Sequence, residues 1–277
     1  MKIDLHVHTN VSDGRLSPAE LMALAASRGV DVLAIADHDA VAGIAPAMEA
    51  GRQYPLLCLI PAIELSSHAP GNEVHVLGYF IRYDDPELGQ ELKILQDSRG
   101  ERARAIVAKL CGLGMAISLA RVQEIAGAGS IGRPHIAQAL MEKGYVSNFR
   151  EVFDKYLGQG GPAYVERHKL TPAQAVELIL RFGGIPVLAH PTTLDLKALL
   201  PTLLSAGLMG LEVHYKDFAP ATRQEMTELA RRHNLIATGG TDYHGIESTE
   251  VMLGEAGVPD AVVDNLFALA RKKGIEV

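Results

Sequence analysis

Short apolar runs alternate with amphipathic helical segments along most of this chain, and no other feature narrows its possible folds as far. IDLHVH, VDVLAIAD, PLLCLIPAIEL, NEVHVLGYF, IPVLAHP, MGLEVHY and LIATGGTDYH read as strands, each brief, aliphatic and bounded by turn formers. The segments between them carry helical spacing and explicit start signals. SPAELMALAASRG opens with Ser17 as N-cap, Pro18 at the first position and Glu20 completing a capping box, and it stops at Gly29. TPAQAVELILRFGG repeats the device with Thr171, Pro172 and Gln174. Repeated βα units call for a parallel sheet covered by helices, closed into a barrel or doubly wound, and 277 residues are enough for either.

The rhythm breaks once. ELGQELKILQDSRGERARAIVAKLCGLG, SLARVQEIAG, RPHIAQALMEKG and SNFREVFDKYL follow one another with no strand between them, the first expected to be interrupted at Gly100. The glycine-rich GQGGPAY, which lacks the G-K-[ST] of a phosphate loop, closes this section as a connection. The expected organisation is therefore an α/β body from residues 1–85 and 165–277, with a helical insertion at 86–164. Charge is uneven in the same sense. The whole chain is −7, yet residues 93–143 hold eight Lys/Arg against four acids. Such a segment suggests a local anion site or solvated helix faces.

The ends of the strands hold the chemistry. In α/β barrels, reactive groups sit where strands run into helices. Here the strand ends carry His6 and His8 with Asp13 close behind, then Asp37-His38-Asp39, Glu64, His190, His214, and Asp242 with His244. His75 departs from the rule, lying near the start of its strand. One buried histidine with a backbone partner is ordinary; seven histidines and several carboxylates at one rim are not. Residues i and i+2 of a strand project together, so His6 and His8 can serve one divalent ion. Mixed imidazole and carboxylate suit Mn²⁺, Fe²⁺ or Zn²⁺. The donors outnumber the needs of one ion, which implies two or three, with Glu64 a natural bridge. Adjacent divalent ions activate water for phosphoryl displacement. There is no G-x-S-x-G elbow, so metal-activated hydroxide is the expected nucleophile and the general acid stays unassigned.

Composition sets the surroundings. At −7, a broad grip on duplex nucleic acid is not expected. No apolar run reaches membrane-spanning length and no signal peptide is recognisable, so a cytoplasmic protein is expected, with no membrane and no obligate protein partner. Cys58 and Cys111 are too few for a disulfide framework and are expected to be buried free thiols.

DLHVHTNVSDG, ADHDAVAG, the Glu of AIELS, VHVLGY, GRPHIA, VLAHP and GTDYHG together resemble the PHP (polymerase and histidinol phosphatase) superfamily. The similarity runs nearly end to end. It is greatest to the stand-alone branch of 3′,5′-nucleotide bisphosphate phosphatases and 5′→3′ exoribonucleases, the RNase AM-like proteins. The resemblance implies a distorted seven-stranded TIM-like barrel and a trinuclear centre, with manganese favoured over zinc or iron. It implies His6, His8, Asp242 and bridging Glu64 at one ion, Glu64, His75 and His190 at a second, and Asp13, His38 and His244 at a third. Arg133 and His135 of GRPH match the branch's substrate-facing motif, which suits a phosphate gripped by a guanidinium fork. Arg99 and Arg102 are further substrate candidates, and His214 stands where an aromatic is more usual. Ala36 and Ala40 replace frequent threonines; His68, His168 and His233 are expected at the surface. The implied activity is phosphate release from a small nucleotide such as adenosine 3′,5′-bisphosphate by a metal-bridging hydroxide, with 5′→3′ trimming of short single-stranded RNA and the insertion as a lid. Histidinol-phosphate phosphatase and a non-catalytic metal module are the alternatives; an amidohydrolase is disfavoured because no strand-end lysine suits carbamylation.

Overall fold

In the computed structural model, which describes residues 1–69, 72–127, 131–166, 170–191, 194–245 and 251–276, seven strands lie side by side in chain order. They are β1 (Ile3–Val7), β2 (Val32–Ile35), β3 (Cys58–Ala69), β4 (Asn72–Tyr79), β5 (Ile185–Leu188), β6 (Gly210–Tyr215) and β7 (Ile236–Gly240). The sheet curls until its first and last strands nearly meet. The His8 amide donates to the Tyr243 carbonyl at 2.9 Å, and the Tyr243 amide to the His6 carbonyl at 3.4 Å. A Cβ on Gly240 would stand 2.5 Å from the His6 amide nitrogen, so this seam requires glycine. Of the two arrangements open to a βα chain, the barrel is the one formed.

All neighbouring strands run parallel except around β4, which is antiparallel to both β3 and β5. That reversal accounts for His75. The start of an antiparallel strand lies at the same rim as the ends of its neighbours, and His75 pairs with Ser66 of β3.

Helices α1 (Pro18–Ser27) and α2 (Ile44–Gly51) follow β1 and β2. Ser17 and Glu20 exchange the expected capping-box hydrogen bonds. Between β4 and β5 come α3 (Pro86–Gly112), α4 (Leu119–Ala126), α5 (Arg133–Glu142) and α6 (Phe149–Val152), the last running into a π-helical turn at Phe153–Leu157. Then α7 (Pro172–Arg181), capped by Thr171 and Gln174, α8 (Leu196–Ala206), α9 (Pro220–Arg232) and α10 (Asp260–Lys272) complete the outer layer.

Helix α3 is unbroken at Gly100, contrary to the expected interruption. A helical glycine costs only about 1 kcal/mol relative to alanine, and packing on both sides outweighs that. Leu88, Leu92 and Leu95 belong to the apolar cluster beneath α7, α8 and α9. Ala103, Ile106, Val107 and Leu110 belong to a separate cluster formed with α4, α5 and α6. One helix thus stands in two cores.

Cys58 and Cys111 are free thiols, as expected, but both are exposed rather than buried. Their neighbours Leu57 and Leu110 occupy the inward positions, which turns the next residue outward in strand or helix. Among the described residues, no helix is long and apolar enough to cross a membrane.

Candidate metal centre

Six histidines converge at the C-terminal rim of the barrel around Glu64, near the middle of the long strand β3. Five of them place a ring nitrogen within 3.3 Å of its carboxylate oxygens: His6 at 3.3 Å, His8 at 3.2 Å, His38 at 3.0 Å, His75 at 2.9 Å and His190 at 3.1 Å. Asp242, just past β7, lies 3.0 Å from His8 Nε2 and 3.4 Å from His6 Nε2. Asp13, in the loop after β1, is 3.3 Å from His244 Nε2 and 3.8 Å from rings of both His8 and His38. Three overlapping groups of donors result: His6, His8, Glu64 and Asp242; His38, Glu64 and His75; and His8, Asp13, His38 and His244. The first brings together the four residues that the resemblance assigns to one ion. In the others His38 reaches both sides, while His190 touches Glu64 from the flank.

These donors fit divalent ions. Six buried atoms of the cluster lack a hydrogen-bond partner: His6 Nε2, both ring nitrogens of His8, Asp13 Oδ1, His38 Nδ1 and Glu64 Oε2. Leaving a buried polar atom unsatisfied costs about 1–3 kcal/mol. These atoms face one another, in imidazole–carboxylate contacts of 3.0–3.8 Å, and a cation among them would satisfy donors and acceptors together. Bonds of about 2.0–2.1 Å to a shared ion imply donor separations of about 3.0–3.4 Å, which is the spacing around Glu64 and Asp242. Charge agrees with shape. Burial pushes the Glu64 carboxyl up, but His38, His75 and His6 outweigh it and hold the group well below the usual carboxylate range. Burial likewise raises Asp13 and Asp242, and neighbouring imidazoles carry both well below. His38 is driven by burial down to about 3, against the pull of Glu64 and Asp13. The rim therefore presents ionised carboxylates beside one neutral imidazole, His38, while against the pull of burial those carboxylates raise His6, His8, His190 and His244 above the ordinary imidazole value, so a cation bound there takes the place of protons.

Two buried acids, Asp37 and Asp4, hold the loops that carry the proposed ligands. Asp37 accepts from the Thr9 amide, the Thr9 hydroxyl and the Ser12 hydroxyl, each at 2.7 Å, fixing the loop that carries Asp13. Asp4 accepts from the Thr241 amide at 2.8 Å and its hydroxyl at 2.6 Å, next to Asp242. His190 and Asp242 both adopt positive φ, 27° and 49°, a strained backbone that persists only where surroundings enforce it.

Glu212 was missed by sequence reasoning. Fully buried on β6, it accepts from His6 Nδ1 at 3.0 Å and from the His190 amide at 2.7 Å. A carboxylate on Nδ1 fixes the tautomer that leaves Nε2 free to ligate. Tyr215 was missed too; its hydroxyl donates to Asp242 at 2.9 Å.

A cavity of about 160 Å³ separates the cluster from the helices between β4 and β5, with Asp13, His38 and His75 on one wall and Arg99, Arg102 and Arg133 on the other. The guanidinium of Arg133 pairs with Glu73 and lies over the Phe153 ring, 5.4 Å from its centroid. Arg99 is buried against Asp39 and Ser66: its Nε donates to Asp39 Oδ2 at 2.8 Å and its Nη2 to Ser66 Oγ at 2.6 Å. Arg102 donates from Nε to the Val165 carbonyl at 2.8 Å. His135 sits in the first turn of α5, where its Nδ1 accepts from the Gly132 amide at 2.9 Å. The basic excess of this segment is thus partly committed to carboxylates of the barrel.

His214 stands apart from the cluster. The pairing of β6 with β7 shifts register between Glu212 and His214, so Tyr215 rather than His214 reaches the rim. Burial and the nearby Arg223 push the His214 imidazole down from its ordinary value. His233 is exposed and His68 is half-buried, while His168 lies outside the described residues.

Known proteins share this architecture. Residues 4–81 match the PHP domain family. The chain is 36% identical to the 5′-3′ exoribonuclease Rnm of Escherichia coli K12, over 87% of this chain and 84% of that protein. It is 35% identical to a 3′,5′-nucleoside bisphosphate phosphatase of Chromobacterium violaceum, over 87% of each. A solved structure from Bifidobacterium adolescentis, assigned as a metal-dependent phosphoesterase, superposes with a TM-score of 0.88 at 27% identity, covering 99% of this chain and 97% of that one.

Proposed function

The chain belongs to the PHP family, a hydrolase of phosphoric esters, and from that premise we propose that it removes phosphate from small nucleotides such as adenosine 3′,5′-bisphosphate, and trims short RNA from the 5′ end at the same site. The observation that carries this reading is the ring of imidazoles around Glu64, with its unsatisfied donors, facing a cavity walled by arginines.

Two or three divalent ions, manganese first and zinc or iron as alternatives, would be held by His6, His8, Glu64 and Asp242, by Glu64, His75 and His190, and by Asp13, His38 and His244. Bound there, they supply Lewis acidity toward water and a phosphoryl oxygen. The remaining work falls to side chains. Arg133, steadied by Glu73 and Phe153, has further N–H groups with which to hold a phosphate oxygen across the cavity. His135 faces the same loop; with Nδ1 occupied by the Gly132 amide, its Nε2 carries the proton and acts as a donor. Arg99 works through Asp39, fixing the residue that follows His38. Helices α3, α4, α5 and α6 form the lid, excluding water and restricting length. All nine proposed ligand positions carry competent donors, which disfavours a purely structural module, and the relatives are named for nucleotides and RNA rather than histidinol phosphate. A cytoplasmic location belongs to the same reading.

A phosphate-release screen tests it. Manganese-loaded protein is assayed with adenosine 3′,5′-bisphosphate, 5′-phosphorylated RNA trimers and histidinol phosphate, with chelator controls. Release from the nucleotides that chelation abolishes is expected; preference for histidinol phosphate, or turnover indifferent to chelator, refutes the assignment.

A further inference from the structure

A second cavity of about 380 Å³ lies on the other side of Asp13 and Pro134, residues that it shares with the first. Its walls come from the loop after β1 and from α4, α5 and α6, and they include Arg15, Arg121, Gln138 and Phe149. Arg15 is the informative member. Arg99, Arg121 and Arg133 each place a guanidinium on a carboxylate: Asp39, the pair Glu124 and Glu142, and Glu73. Among the described residues no carboxylate pairs with Arg15, whose side chain is exposed and makes one long contact, 3.5 Å, to Gln138 Oε1. Its backbone is nevertheless fixed to the metal centre, because the Arg15 amide donates to the His244 carbonyl at 2.8 Å. A cation held at the edge of the ligand shell, facing a cavity and paired with none of the described carboxylates, is available to an anion of the substrate. Phe149 offers that cavity an aromatic surface of the kind on which bases stack.

We propose that this second cavity binds the part of the substrate beyond the scissile phosphate, with Arg15 holding a second phosphate one nucleoside away and Phe149 contacting the intervening base. The inference rests on the nucleotide reading above and deepens it: the site is built for ligands bearing two phosphates on either side of a nucleoside. A nucleoside 3′,5′-bisphosphate and a short 5′-phosphorylated RNA both meet that description, and a simple aryl phosphate does not.

The test compares wild type, Arg15→Gln, Arg15→Lys and Phe149→Leu, all manganese-loaded, on adenosine 3′,5′-bisphosphate, a 5′-phosphorylated RNA trimer and p-nitrophenyl phosphate. The ratio of kcat/KM for the bisphosphate to that for p-nitrophenyl phosphate should fall about tenfold or more in Arg15→Gln, through KM. Arg15→Lys should recover part of the loss. Phe149→Leu should depress the ratio for both nucleotide substrates, and loss confined to the trimer assigns the cavity to RNA alone. An unchanged ratio in Arg15→Gln, with an unchanged melting temperature, overturns the subsite. A wild-type enzyme that prefers p-nitrophenyl phosphate to both nucleotides overturns the activity itself, and the subsite with it.

Discussion

Glu212 positions two of the proposed ligands, His6 and His190, although it lines neither cavity. One oxygen holds His6 Nδ1 and the other the amide of His190, whose backbone is strained. A glutamine retains only one acceptor oxygen, so it can serve one donor and must present an N–H to the other. Glu212→Gln is therefore expected to weaken metal binding by about 10–100-fold, measured by chelator competition and by elemental analysis after dialysis. Wild-type affinity in the variant would show that the carboxylate only fills space. Nothing in the sequence marked this residue. LEVHY reads as an ordinary strand in which His214 attracts notice, and the register shift that turns Tyr215 inward depends on β7. The gathering of these histidines and carboxylates at one rim was legible, because imidazole at strand ends has few uses. Their supporters were not, since a buried glutamate and a buried aspartate look alike until their partners are known.

Helix α3 couples the helices between β4 and β5 to the barrel. Its first half packs beneath the outer helices and its second half with α4, α5 and α6, and at the transition two side chains reach down to one loop. Arg99 pairs with Asp39 at 2.7 Å, and the Gln96 amide donates to the Asp39 carbonyl at 3.0 Å. Asp39 follows His38, adopts a φ of 51°, and is fully buried. Removing one partner of a buried ion pair costs about 3–5 kcal/mol, and although Asp39 would keep the Ser66 amide at 2.8 Å it would lose its guanidinium. Arg99→Leu is expected to lower the melting temperature by roughly 6–15 °C, read by calorimetry; a drop under 2 °C would mean that water compensates Asp39. Local signals predicted the elements well: both capping boxes form as read, and all seven strands occur. Orientation was harder. His75 looked misplaced because a strand's direction is set by its neighbours, and β4 runs against both of its own.

Across the whole molecule the proposed ligands divide the barrel among themselves. His6, His8 and Asp13 come from β1 and its loop, His38 follows β2, Glu64 lies on β3, His75 on β4, His190 follows β5, and Asp242 with His244 follows β7. The remaining strand, β6, joins through Glu212. Ions bound at this rim would therefore tie every strand to others distant in sequence, as crosslinks do, while the protein without them carries the six unsatisfied atoms described above. A ligand present at 100 times its dissociation constant stabilises the folded state by about 2.7 kcal/mol. Two or three such ions would add roughly 5–8 kcal/mol, equivalent to at least about 10 °C in melting temperature. Exhaustive chelation should lower the melting temperature by that amount, and manganese should restore it without denaturation and refolding. Hydrogen exchange should quicken most at the seam between β1 and β7, where few backbone bonds close the barrel. Protein shown by elemental analysis to be stripped, yet melting within 2 °C of the loaded form, would mean that the rim is held by its own packing and that the ions serve chemistry alone.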